Sequence, residues 1–210
     1  MGDHPYYQEW TMPRPKKAER AEVLGETRQR LLTAATEEFA RLGYEAANID
    51  RISQAAGFAK GTIYNYFPSK RDLMLSLIES VSTLHLEYVA ERVRREEDPA
   101  RRLERFFEAG FNFVSDYLPQ SQVMIGNLYG PDPQFKETMY HAYLPMFDLV
   151  GSEIIAEGIE QGIFRQVAPQ ATAALLMTIY LGTASQVNEE GRPWQSASQL
   201  ADFVLNGLRC

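Results

Sequence analysis

Residues 48–70, NIDRISQAAGFAKGTIYNYFPSK, admit few folds. Ile49, Ile52 and Ala56 recur at helical spacing, with Asn48 placed as an N-cap and Asp50 in the first turn. Gly57 follows, and it takes the positive φ of a sharp turn without a steric penalty. The spacing predicts a second helix over about 60–67. It buries Ile63 and Phe67 and leaves Lys60, Thr62, Tyr64 and Asn65 on other faces. Pro68 stops it, and Ser69 caps a longer helix with Asp72 as its capping-box partner. Two short helices across a tight turn make a helix-turn-helix. Lys60 and Thr62 then stand where side chains reach base edges in a major groove. Tyr64 and Tyr66 carry hydroxyls on rigid rings long enough for flanking phosphates, and Lys70 can neutralise a phosphate.

The match extends beyond this stretch. Thr27-Arg28, Ala34-Ala35, Phe39, Gly43-Tyr44, Ile52, Ala55-Ala56-Gly57, Lys60-Gly61-Thr62-Ile63-Tyr64, Tyr66-Phe67 and Ser69-Lys70 together closely resemble the DNA-binding domain of the TetR family of bacterial transcriptional regulators. The resemblance is strong over residues 27–80 and holds only in outline beyond them. It implies an all-α chain of about nine helices: a three-helix DNA-binding domain, then a helical ligand-binding and dimerisation domain. The expected DNA-binding residues are Thr27, Arg28, Asn48, Lys60, Gly61, Thr62, Tyr64, Tyr66 and Lys70. Two positions depart from the family pattern. Asn48 replaces the usual Thr or Ser and still caps. Ala59 replaces the usual Ser, which removes a capping oxygen at a cost of about 1 kcal/mol.

Charge bears on the DNA reading. The net charge of −7 is unfavourable for a polyanion partner, but residues 27–80 hold seven Lys/Arg against six Asp/Glu, whereas 81–210 hold ten against seventeen. Duplex affinity follows the local charge near phosphates rather than the total. The single cysteine, Cys210, excludes an internal disulfide and suits a reducing compartment. No signal peptide is expected at the polar, proline-bearing start, so the expected location is cytoplasmic. Residues 166–188 lack charge, yet their Pro, Gln, Thr, Ser and Asn favour a buried or dimer-interface helix over a membrane span.

In chain order, residues 1–24 read as a flexible arm whose Arg14, Lys16, Lys17 and Arg20 could follow a groove. Domain boundaries are expected at 25–70 for the helix-turn-helix domain and 71–210 for the second domain. Helix 1 is expected over 27–42, with Thr27 as N-cap and Gly43 as its end. The helix opened by Ser69 runs to about residue 95. Asp98-Pro99 opens the next, which Pro119 closes, and a short helix covers about 120–129. Asp132-Pro133 opens one that reaches residue 161 and is bent at Pro145, which leaves the His141 carbonyl without its helical donor. Helices over 169–188 and from Ser196-Gln199, a capping box, complete the set.

The last two helices carry Ala171, Ala173, Ala174, Gly182, Ala184 and Gly207, small residues that permit close helix approach; a homodimer through this pair is expected. In the preceding helices, aromatic and methionine side chains mix with polar ones, including Asn112, Gln122 and Asn127. An apolar cavity with a few polar groups describes a small-molecule site. The candidate ligand residues are Phe107, Phe111, Met124, Tyr129, His141 and Tyr143. The expected function is a sequence-specific regulator, a repressor released from operator DNA by a small, mostly apolar or aromatic effector. The alternative is a regulator of the same fold governed by a protein partner. No nucleophile elbow, metal-spaced ligand set or phosphate loop is visible, so neither an enzyme nor a cofactor or metal is expected.

Overall fold

The computed structural model describes residues 17–186 and 194–209. Among these the chain is helical, with no strand beyond one isolated antiparallel bridge between Phe164 and Arg209. Arg14 and Lys16 of the expected arm, and Asn188 at the expected end of the penultimate helix, lie outside the described residues.

Helix α1 spans Lys17–Ala46 and is broken at Gly43, whose φ of 73° and ψ of 173° are open to glycine but not to a residue with a Cβ. It starts ten residues before the expected Thr27. The run KAERAEVL ahead of Thr27 is made largely of good helix formers, so the helix continues upstream. Thr27 is therefore an interior residue and not an N-cap. Helix α2, Ile49–Ala55, is capped by the Asn48 side chain, which accepts from the Asp50 and Arg51 amides at 2.9 and 3.2 Å.

Helix α3, Lys70–Val93, is capped by Ser69, with the Asp72 amide donating to Ser69 Oγ at 3.2 Å. Helix α4, Pro99–Asp116, carries its proline at the first position, where the missing N–H would have no helical partner. Tyr117 breaks the run, and α5 follows over Leu118–Leu128. Helix α6, Pro133–Asp148, continues past Pro145 into a π-helical stretch, Leu149–Ala156, and then α7, Glu157–Glu160. Periodicity alone predicted one long bent helix here. The structure instead widens the helix a turn beyond the proline. Helices α8, Pro169–Ala184, and α9, Ala197–Leu208, close the chain, the latter with the Ser196–Gln199 capping box formed in both directions.

The buried apolar side chains form one connected cluster from Leu31 in α1 to Leu208 in α9. Helix α3 runs through it, packing on α1, α4 and α6. Whatever displaces α6 therefore acts on the same helix that begins at the helix-turn-helix.

Candidate DNA interface and effector cavity

The turn between α2 and the following segment is held from three sides. Gly57 has φ 83°, as the sharp turn requires. The Ser53 hydroxyl, fully buried, donates to the Ala59 carbonyl at 2.6 Å. Arg30 donates from Nη2 to the Ala56 carbonyl at 2.7 Å and lies over the Phe58 ring. Neither Ser53 nor Arg30 carries a sequence signal of this role, because both act on backbone carbonyls, Ser53 six residues on and Arg30 26 residues on.

The segment after the turn is shorter than expected. It is a single 3₁₀ turn, Thr62–Asn65, not a helix over 60–67. Its N-cap is Gly61, which offers no side-chain oxygen, and Ala59 offers none either; the segment then meets Pro68. Ile63 and Phe67 anchor it in the core. Lys60, Gly61 and Asn65 are exposed, Thr62 and Tyr66 half-buried, and Tyr64 is 51% exposed despite its size. Arg28, also exposed, stacks over the Phe67 ring at 5.2 Å, and Thr27 is half-buried one residue before it. Lys70 is less free than expected: its Nζ donates to the Glu45 carbonyl at 2.8 Å and sits 4.8 Å from the Tyr44 ring centre.

A cavity of about 130 Å³ lies between α5, α6 and α8, walled by Met124, Met139, Tyr143, Phe147, Met177 and Leu181, with Lys136 and Tyr140 at its side. Of the six candidate ligand residues, it gathers Met124 and Tyr143. Phe107 and Phe111 are buried elsewhere, Phe107 against Phe106 and Phe111 against Tyr180. Tyr129, the C-cap of α5, is 62% exposed and off the cavity wall. His141 is exposed as well, because α6 turns Met139, Tyr143 and Met146 inward and residue 141 lies between them on the outer face. Of the other polar residues noted, Asn112 and Gln122 are exposed. Asn127 is buried, donating to the Val123 carbonyl at 2.7 Å.

Behind Tyr143 is a buried polar chain. The Gly110 carbonyl can only accept, so the Tyr180 hydroxyl donates to it at 3.1 Å. Tyr180 oxygen then accepts from His85 Nε2–H at 3.2 Å, which leaves Nδ1 unprotonated to accept from the Tyr143 hydroxyl at 2.7 Å. His85 also stacks on Phe113 at 4.3 Å. Burial disfavours the imidazolium and lowers the His85 pKa to about 3, so the ring is neutral. Burial also pushes the Tyr143 and Tyr180 phenols up.

One further contact joins the two sites. Arg71, in the first turn of α3, donates from Nη2 to Asp132 at 2.9 Å and from Nε to Gln134 at 2.6 Å, and lies over Phe135 at 5.0 Å. Phe135 meets Tyr44 of α1 edge-on at 5.0 Å. The α6 N-terminus thus touches both helices that frame the helix-turn-helix, one turn from the cavity.

Known proteins resemble this chain in sequence and fold. The family model described as "Bacterial regulatory proteins, tetR family" matches residues 31–77. The HTH-type transcriptional repressor AcnR of Corynebacterium efficiens is 35% identical over 190 residues, 87% of this chain and 93% of that protein. The HTH-type transcriptional activator FasR of Mycolicibacterium smegmatis is 33% identical over 109 residues, 52% of this chain but only half of its own length. The crystal structure of FadR from Bacillus subtilis in complex with stearoyl-CoA superposes with a TM-score of 0.74 at 20% identity, covering 85% of this chain and 95% of that one. The chain belongs to the tetR family of bacterial regulatory proteins. It is a DNA-binding transcriptional regulator of the helix-turn-helix type. Among the described residues, no helix is long and apolar enough to cross a membrane.

Proposed function

We propose that this regulator is a cytoplasmic, homodimeric repressor that leaves its operator when a small, mostly apolar ligand fills the α5–α6–α8 cavity. The observation that carries the DNA half is the segment around Thr62. Buried Ile63 and Phe67 fix its register, and exposed Lys60 and Tyr64 with half-exposed Thr62 project from it. Residues 25–70 act as the DNA-binding unit and 71–210 as the effector and dimer unit, coupled where Arg71 holds the α6 N-terminus. The repressor AcnR, alike over nearly its whole length, supports the sign of the response. The stearoyl-CoA bound by the B. subtilis neighbour agrees with an apolar ligand.

Fluorescence anisotropy on operator and scrambled duplexes tests the DNA half. Lys60→Ala and Thr62→Ala are expected to cost about 1–3 kcal/mol on the operator and to relax base preference. Tyr64→Phe should weaken both duplexes alike, as the loss of a phosphate contact does. Equal losses on both duplexes for all three variants would remove the assignment.

The dimer is proposed through α8 and α9. Leu175 is 59% exposed on α8 and Phe203 72% exposed on α9, large apolar side chains that a single copy leaves in water. A two-fold pairing of these helices buries both and sets the two recognition segments at a fixed spacing, as half-sites about 34–36 Å apart demand. Phe203→Glu is expected to shift sedimentation toward the monomer and to weaken operator binding with it. A variant that stays dimeric places the interface elsewhere.

A further inference from the structure

The effector cavity has one polar end. Of the side chains on its wall, Lys136 is the one that carries a charge; the rest are apolar apart from two tyrosines. Asp132, the N-cap of α6 one turn back, is taken by Arg71, and no carboxylate among the described residues pairs with the Lys136 ammonium. At the other end, the Tyr143 hydroxyl proton is committed to His85 Nδ1. That end offers an anion no donor. Lys136 and Tyr143 lie two turns apart on one face of α6, about 10 Å along the helix. The cavity therefore runs from a cationic mouth to an apolar floor.

Resting on the reading of this cavity as the effector site, we propose that its ligand is a short acyl or aryl acid derivative. An apolar group of about six carbons lies among Met139, Met177 and Phe147, and an anionic head lies on Lys136. The size follows from the 130 Å³ available; an apolar cavity of about 150 Å³ holds benzene. The head stands one helical turn from Asp132, where α6 holds Arg71. A second negative charge there competes with Asp132 for Arg71 and loosens the contact that ties α6 to the start of α3.

The same short acyl group can arrive as a free acid or as a thioester on a phosphorylated carrier. Titration calorimetry on the full chain separates these with hexanoate, 1-hexanol and hexanoyl-coenzyme A, each against wild type, Lys136→Met, Lys136→Arg and the cavity-filling Leu181→Trp. Hexanoate is expected to bind about tenfold tighter than hexanol, the worth of one charge-assisted hydrogen bond. That preference disappears in Lys136→Met, survives in Lys136→Arg, and all binding falls in Leu181→Trp. If hexanoyl-coenzyme A binds tighter than hexanoate and loses its advantage in Lys136→Met, the carrier-bound acyl group is the source; the reverse order identifies the free acid. Hexanol binding as tightly as hexanoate, with both lost in Leu181→Trp, overturns the anionic head and leaves the effector cavity standing. Binding of none of the three by wild type overturns the cavity reading together with the proposal.

Discussion

Lowering the pH from 6.5 to 4.5 is expected to remove about 2 kcal/mol of folding stability through His85 alone, the slope approaching roughly 1.4 kcal/mol per pH unit once the unfolded ring is mostly protonated. The imidazole titrates near 6.5 when the chain is unfolded and near 3 when it is buried between Tyr143, Tyr180 and Phe113. Well above pH 6.5 both states hold a neutral ring and the full stability is present. Below it the unfolded chain takes up the proton first, and stability falls until the folded ring also protonates near pH 3. Carboxylates contribute their own acid sensitivity, so the comparison is with His85→Gln, which keeps a polar group in place and has nothing to titrate. Urea unfolding at both pH values should show the wild type losing more than the variant by about this amount. Equal losses would mean that the ring is hydrated or already charged in the folded protein.

The second large effect concerns the end of α7. A Cβ built on Gly158 lies 2.1 Å from Phe164 Cδ2 and 2.4 Å from Cε2. The ring cannot simply move aside, because the Phe164 amide donates to the Gly158 carbonyl at 2.9 Å and the ring is 1% exposed. Gly158→Ala is therefore expected to cost about 1–3 kcal/mol by overpacking. Phe164→Ala should cost about 3–5 kcal/mol by leaving a cavity. In the double variant the new methyl meets no ring and fills part of the void. Its destabilisation should fall short of the sum by about 1 kcal/mol or more. Strict additivity in denaturant titrations would show that the two positions do not share this contact.

These two effects lie where the sequence was hardest to read. The helix caps were legible because each is a local chemical rule: Asn48, Ser69, Asp98, Asp132 and Ser196 cap where their side chains and spacing said they should. So was the register of Ile63 and Phe67. The long-range contacts were not. His85 carried no signal of its partners, which lie 58 and 95 residues away. Arg71 finds Asp132 across 61 residues. Only two of the six candidate ligand residues, Met124 and Tyr143, line the α5–α6–α8 cavity, for a related reason. Tyr129 and His141 suit a ligand as residue types, but the turn of each helix decides which way a side chain faces, and both face outward. Met177 and Leu181 come from α8, an element read as dimer surface. The start of α1 was missed because Thr27 is a plausible cap only if nothing helical precedes it.

The Arg71–Asp132 pair is open to water, with 42% and 24% of the two side chains exposed. Exposed pairs weaken as ions accumulate, and so do contacts to DNA phosphates. In a concentrated electrolyte the proposed linkage between effector and operator would slacken at the same moment as the grip on the duplex. Occupancy of the promoter would then fall more steeply with ionic strength than phosphate counting alone allows, and the effector would have less left to change.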